Sequence, residues 1–319
     1  MLSSMRISLF VATCGLTAAA VCMTGDAALA GGTTNTTSVK IAGKGPDTVT
    51  LTGGDLIPGK VIPAHAGVPQ MTTASIITAV VMKTPGVRAS LLAAALPFVF
   101  PSSATPAAPV EIEAAWLQTS TSGTTMTQHL QYTGATFTAI DFPGNYGPPA
   151  SRGSFAVTAM PGAVTTLPVG PWGNTHSSST PSAGAQTSWA LHITDLVPGV
   201  KDSAPATYKF EPFSLTPFSV GNGLTLTIHG PVAGANLTAW SQAHPNGGQA
   251  RIVQTVISGG KETETFSIGF NGLTVVSSTN DPPVGSAPPT FTATLRARSV
   301  MLTTPNAGVT AVDDWTSPV

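Results

Sequence analysis

The sequence predicts an all-β protein of two tandem β-barrel or β-sandwich units, with one short helix in each unit. The first observation is composition: 33 Gly and 28 Pro occur beside 42% hydrophobic residues and a mean hydropathy of +0.24, which is typical of many short strands joined by turns. The second is a strand-like segment at 130–137 that reads again at 268–275. Its glycines, Gly134 and Gly272, are 272 − 134 = 138 residues apart, a spacing of domain size.

A third observation is that a second segment recurs at nearly the same distance. Phe-Ala-Val-Thr begins at Phe155, and Phe-Thr-Ala-Thr begins at Phe291, which is 291 − 155 = 136 residues later. The order of the elements between these landmarks is also the same in both halves. We therefore predict two copies of one β-rich unit.

Residues 1–30 have the pattern of a secretory signal peptide. Arg6 supplies the positive charge, residues 7–21 are almost wholly apolar, and residues 28–30 read Ala-Leu-Ala before Gly31. The apolar run is shorter than the roughly 20 residues that span a bilayer. We expect a mature chain that begins near Gly31, is secreted, periplasmic or on the cell surface, and has no stable membrane insertion.

Both cysteines, Cys14 and Cys22, lie inside this leader. The mature chain would then have neither disulfides nor thiol chemistry. Charged residues make up only 8% of the chain and the formal net charge is −1, so we expect no nucleic-acid partner.

The first unit is predicted over residues 31–170. Val87 opens a segment of Ala and Leu that predicts a helix over 87–96, which Pro97 would end. Gly134 is expected to mark a β-bulge. The strands are predicted at 38–41, 48–52, 74–82, 110–117, 126–140 and 153–159. A Ser/Thr/Gly/Pro-rich linker follows at 171–188.

The second unit is predicted over residues 189–304, before a C-terminal tail at 305–319. Its weaker helix is expected within 231–243, where Leu237 and Trp240 share one face. Gly272 takes the bulge position. The strands are predicted at 189–193, 207–214, 223–229, 250–257, 263–277 and 291–302, with a hairpin turn at 258–261.

The second unit carries a family resemblance. Residues 191–203 read Leu-His-Ile-Thr-Asp-Leu-Val-Pro-Gly-Val-Lys-Asp-Ser, which resembles the opening of Hcp-type tube proteins of type VI secretion. The helix expected at 236–243 and the Val-Val-Ser-Ser at 275–278 are similar to that family's single helix and a late strand. Residues 74–167 of the first unit match more loosely. Two departures are the leader and Gly-Pro-Val-Ala-Gly at 230–234, where the family has Asp-x-x-Ser-Pro.

The resemblance implies a compact β-barrel of two packed sheets with one helix on its flank, which packs side by side into rings. Two tandem copies would then allow three chains to form a pseudo-hexamer. The expected partners are other copies of this chain or other cell-surface and secreted proteins.

No catalytic, cofactor or metal site is predicted. The six histidines lack the spacing of a helical metal site, and the nearest His and acid, His192 and Asp195, are typical of a strand followed by a turn. The serines after His176 lie in the predicted linker without a nucleophile elbow. The leading hypothesis is therefore a secreted, non-enzymatic structural or self-assembling protein.

Two alternatives remain open. An exported hydrolase acting on polysaccharide or peptide would use the carboxylate pairs Glu111/Glu113 or Glu262/Glu264, since residues two apart on a strand share a face. A carbohydrate-binding module would use Trp172 or Trp315. Packing against a junction between the units is a further interpretation of Trp172.

Overall fold

The computed structural model describes residues 34–52, 79–100, 107–172, 186–196, 208–217, 223–232, 237–283, 288–304 and 309–314. These residues form two antiparallel sheets with one α-helix beside each, so the predicted all-β class is confirmed. The leader with Cys14 and Cys22, most of the linker with His176, and Trp315 lie outside the described residues.

The first sheet has the strand order β2-β1-β5-β6-β7-β4-β3, and β8 also pairs with β6. Its strands are β1 (Thr34–Ile41), β2 (Gly45–Thr48), β3 (Thr50–Thr52), β4 (Val80–Thr84), β5 (Val110–Ser120), β6 (Gly123–Phe142), β7 (Phe155–Met160) and β8 (Ala163–Thr166). Helix α1 (Ala89–Val99) lies between β4 and β5 in the chain.

The second sheet has the order β10-β12-β15-β14-β13-β9, with β16 on β14 and β17 on β16. Its strands are β9 (Gln186–Ile193), β10 (Lys209–Phe210), β12 (Thr225–Pro231), β13 (Gly248–Ser258), β14 (Lys261–Asp281), β15 (Thr290–Arg296), β16 (Ser299–Thr304) and β17 (Val309–Asp314). Helix α2 (Leu237–Ala243) lies between β12 and β13. A further short strand, β11 (Phe213–Leu215), belongs to the first sheet.

The two sheets have their strands in the same order along the chain and in space. The run β1-β5-β6-β7-β4-β3 in the first corresponds to β9-β13-β14-β15-β12-β10 in the second. Each helix follows the same strand of its sheet, and β8 on β6 corresponds to β16 on β14. The topology thus maps one sheet onto the other, element by element.

The bulges of the long strands correspond as well. The register of β5 on β6 shifts beside Gly134, and that of β13 on β14 shifts at Gly272. Both glycines have a φ of +62°, the left-handed conformation that a G1 bulge requires and that glycine adopts at little cost. The bulge predicted at Gly134 is present.

Two further bulges repeat the same spacing. Thr127 is the extra residue on β6 opposite the Trp116/Leu117 step, and Thr265 is the extra residue on β14 opposite the step after Gln254. In both places the threonine Oγ1 donates to the carbonyl across the ladder, at 3.2 Å to Trp116 and 3.3 Å to Gln254. A third pair of shifts, at 138 on β6 and 276 on β14, faces β7 and β15.

Four element boundaries differ from the sequence predictions. Helix α1 continues to Val99 with Pro97 inside it, because proline near a helix end gives up only one backbone bond. Helix α2 begins at Leu237, since the chain as far as Pro231 belongs to β12. Residues 186–188 of the predicted linker start β9, and residues 309–314 of the predicted tail form β17 on β16.

The hydrophobic core is one connected cluster that contains side chains from both sheets and from α1 and α2. Trp240 is buried in it, and Trp116 and Trp189 pack against it. Within the described part of the chain, no helix has the length and apolar character to cross a membrane.

Candidate functional site

The two sheets are joined by a strand that crosses from one to the other. Strand β11 lies in the chain between β10 and β12 of the second sheet, but it pairs antiparallel with the end of β6 in the first. Phe213 lies opposite Phe142, and Leu215 lies opposite Ile140. Because β7 also pairs with residues 140 and 141, β11 occupies the other side of β6. The second half of the chain thereby completes the first sheet.

Phe142 is the centre of the apolar part of this junction. Its ring stacks on Phe213 with centroids 5.1 Å apart and planes at 19°, and on Phe266 at 5.7 Å and 7°. Trp189 meets it edge-on at 6.4 Å. Phe142 is only 1% exposed. Burial of such rings in offset contact is strongly stabilising, so the junction is part of the core and not a surface contact.

Asn145, in the loop after β6, fastens the polar edge of the junction. Its side-chain Nδ2 donates to the Trp189 carbonyl at 3.0 Å, and its Oδ1 accepts the Phe210 amide at 2.8 Å. The Asn145 amide donates to the Phe210 carbonyl at 3.0 Å. Both functions of one side-chain amide are thus spent on the backbone of the second half, which fixes its position relative to the first sheet.

Gln254 makes a second polar link between the halves. Its Oε1 accepts the Val87 amide at 2.7 Å, at the start of α1, while its Nε2 donates to Thr265 Oγ1 at 2.6 Å. Gln254 is only 3% exposed. A buried amide with its partners satisfied specifies one relative placement of α1 and β13.

A chain of polar side chains runs along the rim of the junction. His229 Nε2 lies 2.9 Å from Glu211 Oε1, His229 Nδ1 lies 3.0 Å from Thr292 Oγ1, and Thr292 donates to Asp281 Oδ2 at 2.8 Å. Tyr146 from the first half stacks on the His229 ring at 3.5 Å. The hydroxyl proton of Thr292 goes to a carboxylate and not to the imidazole, so this is not the nucleophile-to-base pairing of a hydrolase. The chain holds the Tyr146 loop against β12.

The structure leaves the proposed carboxylate pairs on exposed strand faces. Glu113 Oε2 lies 4.0 Å from Lys40 Nζ and 3.9 Å from His129 Nε2, and Glu264 Oε2 lies 3.6 Å from Arg251 Nη1. These are partly solvated ion pairs across neighbouring strands, which contribute little to stability. Glu111 and Glu262 are exposed beside them.

The aromatic and histidine candidates take other positions than the sequence indicated. Trp172 packs on a small apolar cluster of Ala115, Leu117 and Met126, apart from the main core, so its contact is with the first sheet itself. Asp195 Oδ2 lies 3.9 Å from His244 Nε2, so the structure brings that carboxylate to the end of α2. Among the described residues, no group of three or more His, Cys, Asp or Glu could hold a metal ion.

Two buried tyrosines have altered acidity. Burial raises the pKa of Tyr132 to about 12, and burial also raises the pKa of Tyr208 above its ordinary value. The Tyr132 hydroxyl has no hydrogen-bond partner in the described structure. Both rings lie in the core, so these hydroxyls mark packing and not a reactive cleft.

The residues that build the junction were not singled out by the sequence. Phe142 lies just beyond the predicted end of its strand, and Asn145 lies in a loop rich in Gly and Pro. Glu211 and His229 are 18 residues apart and become neighbours only through the pairing of β10 with β12. The one available signal was a run of large apolar residues at 210–218 between prolines.

No family model matches the chain, and no curated protein matches it. Solved structures of Hcp proteins are similar to part of it. The secreted protein Hcp3 from Pseudomonas aeruginosa is 12% identical and aligns over 41% of this chain and 100% of its own, with a TM-score of 0.26. Hcp1 from Salmonella typhimurium is 14% identical over 40% of this chain and 95% of its own, with a TM-score of 0.29. Hcp1 from E. coli EAEC 042 is 11% identical over 40% and 96%, with a TM-score of 0.27.

Proposed function

We propose that this chain is a secreted, non-enzymatic structural protein that contains two copies of one β-barrel unit and assembles with other copies of itself. The leader at 1–30 would direct export. The units would occupy residues 31–170 and 189–304, joined through the linker at 171–188. The alternatives, an exported hydrolase and a carbohydrate-binding module, have no comparable arrangement of residues to support them.

The observation that carries the proposal is the agreement of three bulges in each long strand. The extra residues at 127, 134 and 138 on β6 recur at 265, 272 and 276 on β14, each 138 positions later. A bulge is a local departure from the ladder with its own backbone geometry. Three of them at one spacing, within the same strand order, support duplication of a whole unit.

The junction between the units supports self-association. A strand from the second unit pairs with the first, while different surfaces of the two units are used, so the contact is heterologous or head-to-tail. Such a contact between like units generates a ring if its rotation closes and a filament if it does not. A chain that already makes it once internally has the surfaces to make it again with a neighbour. Three chains would give a six-unit ring.

Native mass spectrometry and negative-stain imaging of the purified protein over a range of concentrations test this proposal. We expect closed particles whose mass is a whole multiple of the chain mass, with three chains as the first candidate. A strict monomer at every concentration, with hydrolysis or retention of a polysaccharide, would contradict it and favour one of the alternatives.

A further inference from the structure

The end of β14 offers an open edge at the position that β11 fills in the first sheet. In the first sheet, β11 pairs with residues 140–142 of β6 on the side opposite β7. The corresponding residues of β14, 138 positions later, are Ser278, Thr279 and Asn280. They pair with β15 on one side, and no described strand pairs with them on the other. All three are exposed.

We infer that this edge, Ser278 to Asn280, accepts the segment 53–58 from a second copy of the chain. The inference rests on the proposed self-association and specifies its contact. The occupant follows from the correspondence of the units, because β11 comes directly after β10, and 53–58 comes directly after the matching strand β3. The first unit would give to a neighbour what the second unit gives within its own chain.

The alignment of the two segments is fixed by strand pairing. Leu51 of β3 pairs with Met82 of β4, and Phe210 of β10 pairs with Ile228 of β12, which makes Leu51 and Phe210 equivalent. Counting on from them sets Gly-Asp-Leu at 54–56 against Phe-Ser-Leu at 213–215, and Pro58 against Pro217. Both segments therefore have leucine at the third strand position and proline two residues later.

The polar pair at the centre of the junction is complementary in both cases. Within the chain, Ser214 lies opposite Asp141 and its hydroxyl donates to that carboxylate. At the open edge the corresponding residues are Asp55 of the incoming segment and Thr279 of β14. One hydroxyl and one carboxylate face each other again, with the two strands exchanging roles. The same charge-assisted hydrogen bond is available between chains.

The rest of the edge predicts a weaker contact than the internal one. The stacked pair Phe142 and Phe213 is replaced by Asn280 and Gly54, and Ile140 is replaced by Ser278. Less apolar area is buried between chains than within the chain. A ring built this way would have strong and weak junctions in alternation, and dilution would separate whole chains.

Disulfide trapping tests the register directly. In a chain carrying Cys14→Ser and Cys22→Ser, one batch receives Asp55→Cys and another receives Thr279→Cys. Residues directly opposite on antiparallel strands have Cα atoms about 4.5–5.5 Å apart, within the range of a disulfide. We expect the oxidised mixture to contain about tenfold more covalent two-chain product than either batch alone, since the geometry permits only the mixed pair.

Two controls make the result decisive. Ser278→Cys mixed with Asp55→Cys should not cross-link, because adjacent strand residues point to opposite faces. Asp141→Cys with Ser214→Cys in one chain should form an internal disulfide, which shows that the reaction works at a known junction. If that control succeeds and native mass shows oligomers, yet 55 and 279 do not cross-link, this contact is wrong and self-association stands. A strict monomer would overturn both.

Discussion

The far ends of β6 and β14 are equivalent by topology but differ in their surroundings. The end of β6 carries Ile140 and Phe142, both buried, and is covered by β11. The end of β14 carries Ser278 and Asn280, both exposed. The strand path and the bulges are the same in both. The framework of the unit therefore tolerates a complete change of side-chain character at its edge, and that edge decides what the strand can contact.

The largest test of this comparison is truncation at the two equivalent positions. Phe142→Ala removes a ring that is 1% exposed and stacked on Phe213 and Phe266, so we expect a loss of about 3–5 kcal/mol in the free energy of unfolding. Asn280→Ala, at the exposed equivalent position, should change it by less than about 0.5 kcal/mol. Chemical denaturation monitored by tryptophan fluorescence measures both. Equal losses would mean that the edge of β14 is covered in the isolated chain.

A second contrast concerns the two bulge glycines. A Cβ on Gly272 would lie 2.5 Å from Arg298 Cβ, whereas a Cβ on Gly134 would meet nothing closer than Gly162 Cα at 3.7 Å. The φ of +62° strains either alanine by about 1–2 kcal/mol. We expect Gly134→Ala to cost about that much and Gly272→Ala to cost about 2 kcal/mol more, as overpacking does.

The same denaturation assay checks the source of that difference. Adding Arg298→Gly should recover most of the excess cost of Gly272→Ala, because it removes the atom that the new Cβ meets, and it should leave Gly134→Ala unchanged. A double-mutant cycle with no coupling between positions 272 and 298 would show that packing does not distinguish the two bulges.

Local features of the fold could be predicted from sequence because they depend on a few neighbouring residues. The turn at 258–261 and the bulge at Gly134 follow from glycines that must take positive φ, and Gly259, Gly260 and Gly134 all do. The alternation of apolar residues set the long strands. Strand β17 was missed because its six residues are stabilised by pairing with β16, which the local pattern does not show.

The junction could not be predicted for the same reason, on a larger scale. Strand β11 has three residues, too few to produce a periodic signal, and its partner on β6 lies 73 residues earlier at Asp141. Asn145 is an ordinary loop asparagine until the fold brings Trp189 and Phe210 to it. Contacts of this kind are specified by topology, and a pattern read along one chain carries almost no information about them.

The smallest contrast is one hydroxyl in the core. Tyr132 and Phe270 hold equivalent positions, 138 residues apart, and both are buried, but the Tyr132 hydroxyl has no partner. A buried hydroxyl without a hydrogen bond is unfavourable, so Tyr132→Phe should stabilise the protein by about 1 kcal/mol, and Phe270→Tyr should destabilise it by at least as much. Thermal unfolding at neutral pH measures both changes.

The pH dependence of stability separates this cause from simple packing. Burial raises the pKa of Tyr132 from 10.0 to about 12, so the folded state favours the neutral phenol more than the unfolded state does. This contribution is fully present below pH 10 and is lost as the pH rises towards about 12. The advantage of Tyr132→Phe over the wild type should therefore widen across that interval. An advantage that stays constant from neutral pH to pH 12 would mean that the hydroxyl is solvated in the folded protein.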